Sequence, residues 1–334
     1  MKRIRVEYVW LDGTEPLPQL RSKARYLDDH YSLVIEDWNF DGGSTNQGSL
    51  ENSDRKLECV RTYKDPFNKG GLIALCEVAY HSNVPHETNT RHPLRALTKK
   101  HDGILVGFEQ EFTFMDKESQ DPLGLCLSPK EQGQYYCGAG SMNVIGRQIM
   151  CEFEKACIDA GIEIDGINAE VMPGQWEYQT KAQSPLKASD DLWITRYLLE
   201  RISESYPICI SYDPKPHPKF NGAGCHTNFS TALMRDRLND KDIESLVEAL
   251  SQDHSEFMKV CGEGYEKRLT GECETSSYKK FTSGVADRGA SLRIPEKVSR
   301  EGKGYFEDRR PCANIDPYKV LHSLITSVGN TLLI

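Results

Sequence analysis

The sequence predicts an α+β protein in which a small N-terminal β domain precedes a larger α/β domain. Residues 1–85 contain short runs rich in β-branched and aromatic residues, separated by polar turns, as is typical of strands. From about Asn89 onward, amphipathic segments with helical spacing alternate with short apolar segments. A chain of 334 residues has room for two unequal domains of this kind.

The first part contains three predicted strands, which are Arg5–Leu11, Ser32–Trp38 and Leu72–Val78. A stretch rich in Gly, Ser and Asn, Asp41–Asp54, lies between the second and the third. It is too long for a tight turn, and surface loops of this size often carry function.

The second part contains three predicted helices. Asn143–Gly161 has apolar residues at helical spacing and ends on glycine. A second helix is predicted to start at Ser189-Asp190-Asp191, where a capping residue precedes two acids suited to a first turn. A third spans Asp240–Gly262. The predicted strands between the helices are Ile104–Met115, Ile162–Met172 and Ile208–Tyr212.

Composition narrows the class of protein. With 41 basic and 50 acidic side chains the net charge is −9, which argues against a nucleic-acid binder. No apolar run approaches the roughly 20 residues that span a bilayer. Glu7 and Asp12 interrupt the N-terminal apolar segment, so no signal peptide is expected. The 11 cysteines lack C-x-x-C spacing, and we expect reduced thiols in a cytoplasmic protein.

Polar residues at two-residue spacing interrupt several predicted strands. Glu109 and Glu111 share one face of a strand, a pattern that also fits an edge strand with a solvated face. If Pro173-Gly174 is a two-residue hairpin turn, Glu170 lies directly across from Glu177. Facing carboxylates repel each other, and a bound cation would remove that cost. A longer turn would instead keep the two apart.

Two further segments carry the same pattern. His226, Asn228 and Ser230 share one face of a predicted strand, and Glu307 shares a face with Arg309. Taken singly, these are consistent with a core histidine and a surface ion pair. Together the four segments supply five carboxylates and one imidazole, which suits Mg²⁺ or Mn²⁺. Such ions usually serve phosphate chemistry.

Phosphate chemistry also needs cationic side chains, and an arginine fork matches both carboxylate and phosphate. Five arginines lie close together in the sequence: Arg268, Arg288, Arg293, Arg309 and Arg310. The glycine pairs Gly138-x-Gly140 and Gly222-x-Gly224 lack the third glycine of a dinucleotide motif, and Gly302-Lys303 lacks the earlier Walker glycine. ATP would therefore bind through metals and arginines.

In its sequence motifs the chain resembles the eukaryotic-type (type II) glutamine synthetases. The matching motifs are Trp38-Asn39-Phe40-Asp41-Gly42, Glu109-Gln110-Glu111, Gln134-Tyr135-Tyr136-Cys137-Gly138, Asn168-Ala169-Glu170-Val171-Met172-Pro173, Asp213-Pro214-Lys215-Pro216, Asn221-Gly222-Ala223-Gly224-Cys225-His226-Thr227-Asn228-Phe229-Ser230, Arg268-Leu269-Thr270-Gly271 and Gly304-Tyr305-Phe306-Glu307-Asp308-Arg309-Arg310-Pro311. The resemblance implies a β-grasp-like domain over residues 1–85. It also implies a catalytic domain over residues 86–334, with an open, antiparallel, barrel-like sheet and helices.

The resemblance further implies two or three Mg²⁺ or Mn²⁺ ions per site. One metal would be held by Glu111, Glu170 and Glu177, and a second by Glu109, His226 and Glu307. The implied glutamate-binding residues are Asn221, Gly222, Arg268, Arg288 and Arg309. The implied ATP-binding residues are Glu109, Glu177, Asn228, Phe229, Ser230, Arg288, Arg293, Tyr305, Phe306 and Glu307.

The implied reaction joins glutamate and ammonia through a γ-glutamyl phosphate at the expense of ATP, as in nitrogen assimilation or ammonia detoxification. Its implied catalytic residues are Asp41, Glu274, Arg288 and Arg309. Asp41 would take a proton from ammonium, and Glu274 would lie on a flap that excludes water. In this family subunits form rings, often decamers, and Asp41 completes the site of a neighbouring subunit.

The chain departs from the family pattern around the flap and the nucleotide. The departures are Gly43, Leu105, Glu272, Cys273 and Asp287. Two alternatives stay open: a γ-glutamyl ligase for another amine, and a catalytically silent relative. Asp41 and Glu274 favour ammonium as substrate, whereas a silent relative should lack metal ligands or arginines that this chain retains.

Overall fold

A computed structural model describes residues 3–28, 34–125 and 133–329, and in these ranges the strands form two sheets. The first has the strand order β2-β1-β5-β4-β3. Its strands are β1 (Arg3–Leu11), β2 (Leu20–Asp28), β3 (Trp38–Asp41), β4 (Asp54–Lys64) and β5 (Leu72–Ala79). β1 and β5 run parallel at its centre. β5 is a nearly continuous apolar run because both of its faces are buried, whereas β1 also carries Arg3, Arg5 and Glu7.

The second sheet has eight strands in the order β11-β12-β13-β10-β6-β8-β7, with β9 paired to β6. They are β6 (Leu105–Asp116), β7 (Ile164–Ala169), β8 (Gln175–Thr180), β9 (Ile208–Ser211), β10 (Cys225–Ser230), β11 (Ser283–Val285), β12 (Leu292–Ile294) and β13 (Phe306–Asp308). Its pairs are antiparallel except β11 with β12. The α+β class predicted from the sequence is confirmed.

Helices pack around the second sheet. They are α1 (Arg91–Thr98), α2 (Arg147–Ala160), α3 (Pro185–Ser203), α4 (Ala232–Asp236), α5 (Asp240–Gln252), α6 (His254–Met258), α7 (Tyr265–Arg268), α8 (Glu296–Glu301) and α9 (Pro317–Gly329). The main hydrophobic core lies between the sheet and α2, α3, α5 and α9. Within the described ranges, no helix has the length and apolar character needed to cross a membrane.

Several element boundaries differ from the predictions. β2 and β4 were not predicted, because their many charged residues mask the strand pattern. The strand predicted at Ser32–Trp38 lies partly outside the described residues; residues 34–37 are not in a strand, and β3 begins at Trp38. The helix predicted over Asp240–Gly262 is divided into α5 and α6. The domain boundary between residues 85 and 86 stays a prediction.

The predicted start of α3 is wrong for an informative reason. The helix begins at Pro185, which suits a first helical position, so Asp190 lies within it and is fully buried. Its carboxylate accepts from Arg91 of α1 at 2.7 and 2.9 Å, from Arg61 of β4 at 2.9 Å and from Tyr318 of α9 at 2.8 Å. These contacts join the first sheet to the helices behind the second sheet.

We expect Asp190→Asn to lower the free energy of unfolding by about 3–5 kcal/mol, because it removes a fully buried carboxylate charge that Arg91 and the half-buried Arg61 share. Urea denaturation provides the measurement. Asp159→Asn is the matched control, since Asp159 pairs with Lys155 on the exposed surface of α2, and such pairs contribute about 0–1 kcal/mol. Equal, small effects of both substitutions would contradict this role of Asp190.

Candidate active site

One face of the second sheet lines a cavity of about 440 Å³. Strands β6, β7, β8, β10 and β13 contribute side chains to it, and so do the loops that contain Gly222, Glu274 and Arg288. All six predicted metal ligands line this cavity: Glu109, Glu111, Glu170, Glu177, His226 and Glu307.

Strand pairing explains why these side chains meet. β6 lies between β8 and β10, so Glu111 is directly opposite Glu177 and Glu109 is directly opposite His226. Opposite residues bring their Cβ atoms to about 4.5–5.5 Å, and alternation points Glu109 and Glu111 to the same face. Four polar side chains from three strands therefore occupy one small area.

The β7–β8 hairpin does not have the predicted register. The N–H of Glu170 donates to the carbonyl of Gln175 at 2.9 Å, so Glu170 does not face Glu177 directly. The connection has four residues, 171–174, rather than two. The carbonyl of Gly174 accepts from the N–H of Phe114 on β6 at 2.8 Å, and this hydrogen bond holds the turn against the neighbouring strand. Gly174 has a φ of +74°, and a Cβ there would lie 2.9 Å from backbone atoms of Phe114 and Leu123.

Glu170 nevertheless reaches Glu177. Asn168 is directly opposite Glu177, and Glu170 lies two residues further along the same face, which makes it a diagonal neighbour. One carboxylate oxygen each of Glu111, Glu170 and Glu177 lie within 4.8 Å of one another. These three residues are called the carboxylate set below.

Burial and mutual repulsion both act on the carboxylate set. Burial raises the pKa of all three groups, and a neighbouring glutamate of the set raises each pKa further. Backbone donors compensate in part: the N–H of Gly224 donates to Glu111 at 2.7 Å. The three carboxylates are thus held together at a cost that a divalent cation would remove.

The second group, called the mixed set, comprises Glu109, His226 and Glu307, whose ligand atoms also lie within 4.8 Å of one another. His226 Nδ1 is 3.2 Å from a Glu109 oxygen and 3.7 Å from a Glu307 oxygen. Burial opposes ionisation of Glu109, but hydrogen bonds from His226 and Asn228 and the nearby charge of Arg309 lower its pKa to about 2. Burial also opposes ionisation of Glu307, whereas His226 and Arg309 lower its pKa below the ordinary value.

Both sets have the chemistry of divalent-metal sites. Carboxylate oxygens and neutral imidazole are suitable ligands for Mg²⁺ or Mn²⁺. Burial, followed by the nearby Arg309, lowers the pKa of His226, which favours the neutral ring that a metal requires. The mutual repulsion of the carboxylate set is an independent sign that a cation fits there.

The predicted glutamate-binding residues Asn221, Gly222, Arg268, Arg288 and Arg309 all line the cavity. Arg268 is buried and lies against the backbone. A Cβ at Gly222 would lie 2.7 Å from Arg268 Cγ, and one at Gly224 would lie 2.4 Å from its Nη2. Arg268 Nη1 donates to the carbonyl of Arg309 at 3.1 Å, and its Nη2 lies 3.0 Å from His226 Nε2. Two glycines are therefore required for this arginine to lie beside the mixed set.

Some of the predicted ATP-binding residues lie at the cavity or contact its glutamates, and others do not. Arg288 and Arg293 line the cavity, and Arg293 donates to Glu307. Asn228 donates to Glu109 at 2.9 Å. By contrast, Ser230 lies at the end of β10 and accepts from Arg235 at 2.9 Å.

The structure does not bring Phe229 and Phe306 to the cavity. Their side chains are 1% and 0% exposed, and their rings meet edge to face in the core at 6.2 Å. Both lie on the opposite face of the sheet from the metal-binding residues because side-chain direction alternates. Tyr305 is two residues before Glu307 and therefore lies on the same side as the cavity, where it is 44% exposed.

Asp41 and Glu274 occupy different positions. Glu274 is exposed, lines the cavity, and has a φ of +58° next to Cys273 at +52°. Two adjacent non-glycine residues in this region indicate a strained loop. Asp41 does not line the cavity; its exposed carboxylate accepts from Gly43 N–H at 3.0 Å and from the Ser44 hydroxyl at 2.6 Å.

Sequence reasoning missed several residues of the cavity wall. They include Tyr136, Asn168, Gln179 and Thr275. The two amides carried a usable signal, because Asn168 precedes Glu170 by two residues and Gln179 follows Glu177 by two. On a strand, that spacing places each amide beside a metal-binding carboxylate.

Comparisons with known proteins agree with the fold and show the family. Residues 88–330 match the family model for the catalytic domain of glutamine synthetase. A glutamine synthetase from Saccharomyces cerevisiae is 46% identical over 326 residues, covering 95% of this chain and 87% of the relative. One from Streptomyces hygroscopicus is 44% identical over 331 residues, covering 96% of each.

A solved structure shows the same fold. The cryo-EM structure of Plasmodium falciparum glutamine synthetase matches with a TM-score of 0.80 at 18% identity, covering 98% of this chain and 72% of the other. Fold and sequence together define an enzyme of the ligase class. The chain belongs to the glutamine synthetase family, and its activity is that of a glutamate–ammonia ligase.

The electrostatics of the carboxylate set predict a pH dependence of stability. The folded pKa values of Glu111, Glu170 and Glu177 lie above the unfolded value of about 4.3. Their contribution to stability is therefore fully present below that pH and is lost as the pH rises through the folded values. We expect the Tm in EDTA to fall between about pH 5.5 and about pH 8.

Glu177→Gln should reduce this fall, since it removes one of the three repelling groups. A difference of about 1 kcal/mol corresponds to roughly 2–4 °C in Tm. Glu154→Gln, an exposed substitution on α2, is the matched control and should leave the pH dependence unchanged. Identical pH profiles for Glu177→Gln and the wild-type chain would contradict the account.

Proposed function

We propose that this glutamate–ammonia ligase works with ATP and two or three Mg²⁺ or Mn²⁺ ions, through a γ-glutamyl phosphate. The observation that carries the proposal is the placement of two metal-ligating sets and several arginines around one cavity. Family membership supports the same chemistry.

In this proposal Glu111, Glu170 and Glu177 hold one metal, and Glu109, His226 and Glu307 hold the other. When bound, the metals supply positive charge that neutralises the phosphates of ATP. The low pKa of Glu109 keeps a carboxylate ready for the mixed set, whereas the carboxylate set releases protons when it binds a cation.

The arginines bind and orient the substrates. Arg268, Asn221 and Gly222 are proposed to hold the backbone groups of glutamate, with Arg309 and Arg288 near its γ-carboxylate and the phosphates. A γ-carboxylate oxygen attacks the terminal phosphorus of ATP, the bond to the bridging oxygen breaks, and ADP leaves. Arg293, Asn228, Ser230 and Tyr305 contribute to the nucleotide site, where Phe229 and Phe306 offer only their backbone.

The second step needs a deprotonated amine and an enclosed site. Ammonium binds in a negatively charged pocket and gives up a proton to the carboxylate of Asp41. The resulting ammonia attacks the acyl carbon, and phosphate leaves. Glu274 is proposed to close the flap over the intermediate and exclude water. Hydrogen bonds from Ser44 and Gly43 lower the pKa of Asp41, so this carboxylate is ionised at neutral pH.

Asp41 is proposed to act in the cavity of a neighbouring subunit. Within the described part of the chain it lies outside the cavity, at the exposed C-terminal end of β3. A ring in which the first sheet of one subunit faces the cavity of the next would bring it there. Assembly as a decamer, a cytoplasmic location and a role in nitrogen assimilation belong to this proposal and rest on family membership.

The direct test is formation of glutamine from glutamate, ammonium, ATP and Mg²⁺, with phosphate release measured in parallel. We expect one glutamine and one phosphate per ATP, and no turnover after Glu177→Ala despite an unchanged circular dichroism spectrum. Activity with a larger amine alone would instead favour a different γ-glutamyl ligase. Full activity of Glu177→Ala would contradict the metal assignment.

Shared sites predict complementation between two inactive variants. Asp41→Ala lacks the proposed proton acceptor, and Glu307→Gln lacks a metal ligand. If neighbouring subunits build each site, mixed oligomers contain sites with both residues intact, about one site in four after random mixing. We expect activity to return when the two variants are unfolded and refolded together. We expect no activity when they are refolded separately, mixed, and assayed immediately, before subunits can exchange. No recovery in mixed oligomers would contradict the shared site.

A further inference from the structure

Amide side chains accompany the carboxylates of both sets. Four of the five metal-binding glutamates accept a hydrogen bond from an asparagine or glutamine, and the donors are called the amide set: Asn168, Gln175, Gln179 and Asn228. The fifth glutamate, Glu307, accepts instead from Arg293 and Arg309.

Two members of the amide set act within their own strand. Asn168 Nδ2 donates to Glu170 Oε1 at 2.9 Å, and Gln179 Nε2 donates to Glu177 Oε1 at 2.9 Å. Each amide is two residues from its glutamate, so the strand period places both side chains on the cavity face.

The other two act across strands. Asn228 of β10 donates to Glu109 Oε1 on β6 at 2.9 Å, and Glu109 Oε2 faces His226. Gln175 of β8 donates to the carbonyl of Gly222 at 3.1 Å and, more weakly, to Glu111 at 3.4 Å. Glu109 thus has one oxygen fixed by an amide while the other faces the cation position.

Gln179 has a special position. It donates to Glu177 of the carboxylate set and is directly opposite Glu109 of the mixed set in the β6–β8 register. It also lines the cavity. A neutral side chain therefore stands between two glutamates that belong to different metal sets.

An amide is suited to this place for a chemical reason. A carboxylate there would add repulsion, and a lysine or arginine would neutralise the charge that a cation needs. An amide N–H fixes a carboxylate oxygen without changing the net charge of the set. The reverse orientation of the amide would bring two acceptor oxygens together.

We propose that the amide set positions the metal-binding carboxylates, and that Gln179 couples the two metal sets. The inference rests on the metal sites of the proposed function. Its members are positioning residues, since they act through the glutamates. Substitution of groups that orient metal ligands typically weakens metal affinity about 10–100-fold.

The test is a titration of the purified chain with Mn²⁺, followed by electron paramagnetic resonance of the free ion. Glu170→Gln and Glu307→Gln first assign one binding event to each set. We expect Asn168→Leu to weaken only the carboxylate set, Asn228→Leu to weaken only the mixed set, and Gln179→Met to weaken both, each about 10–100-fold.

Gln183→Met is the matched control. Gln183 Nε2 also donates to a buried carboxylate, that of Asp191, at 2.8 Å, but it lies outside the cavity wall. Its substitution removes a comparable hydrogen bond and should leave both Mn²⁺ affinities unchanged. Thermal denaturation in EDTA checks that each variant is folded.

The outcomes distinguish a failure of the proposed metal sites from a failure of the proposed role of the amide set. A wild-type chain that binds no Mn²⁺ would contradict the proposed function and this inference with it. Normal binding by the wild-type chain with unchanged affinities in Gln179→Met, or an equal loss in Gln183→Met, would overturn the inference alone. If Gln179→Met does not fold, the set-specific losses expected of Asn168→Leu and Asn228→Leu still decide the role of the amide set.

Discussion

Burial and like-charge repulsion act together on Glu111, Glu170 and Glu177, and the cavity is built around this constraint. Paired strands bring Glu111 and Glu177 face to face, and the β7–β8 turn brings Glu170 within reach of both. The sheet that creates this repulsion also limits it, because backbone N–H groups and amides fix the carboxylate oxygens. The mixed set lies on the same face of the sheet. Its negative charges are stabilised, rather than repelled, by their neighbours, which are a histidine and arginines. Two candidate cation sites of different character therefore share one cavity.

The rest of the fold holds this face in place. The second sheet provides the register, and the core packs behind it through residues such as Phe229 and Phe306. Asp190 joins β4 of the first sheet to three helices of the larger part, which sets where the first sheet and its Asp41 loop can lie. The proposed site shared between subunits requires Asp41 to be exposed outside the cavity of its own subunit, and its carboxylate is exposed there.

Much of the metal chemistry was predictable from the sequence because the period of a strand is simple. Two-residue spacing placed Glu109 beside Glu111 and His226 beside Asn228 without any knowledge of the fold. The register of the β7–β8 hairpin was not predictable, since a hydrogen bond from Phe114 of another strand sets the length of the turn. Nor was the burial of Asp190, whose arginine partners lie about a hundred residues away in sequence. Family resemblance supplied the substrate, which periodicity could not.

One face of the second sheet is proposed to hold two separate cation sites, each with its own set of ligands. Anomalous diffraction from crystals soaked in Mn²⁺ tests it most directly, because each bound ion appears as a peak among identifiable side chains. We expect one peak coordinated by Glu111, Glu170 and Glu177, and a second coordinated by Glu109, His226 and Glu307. A single peak shared by both sets, or peaks outside this cavity, would contradict it.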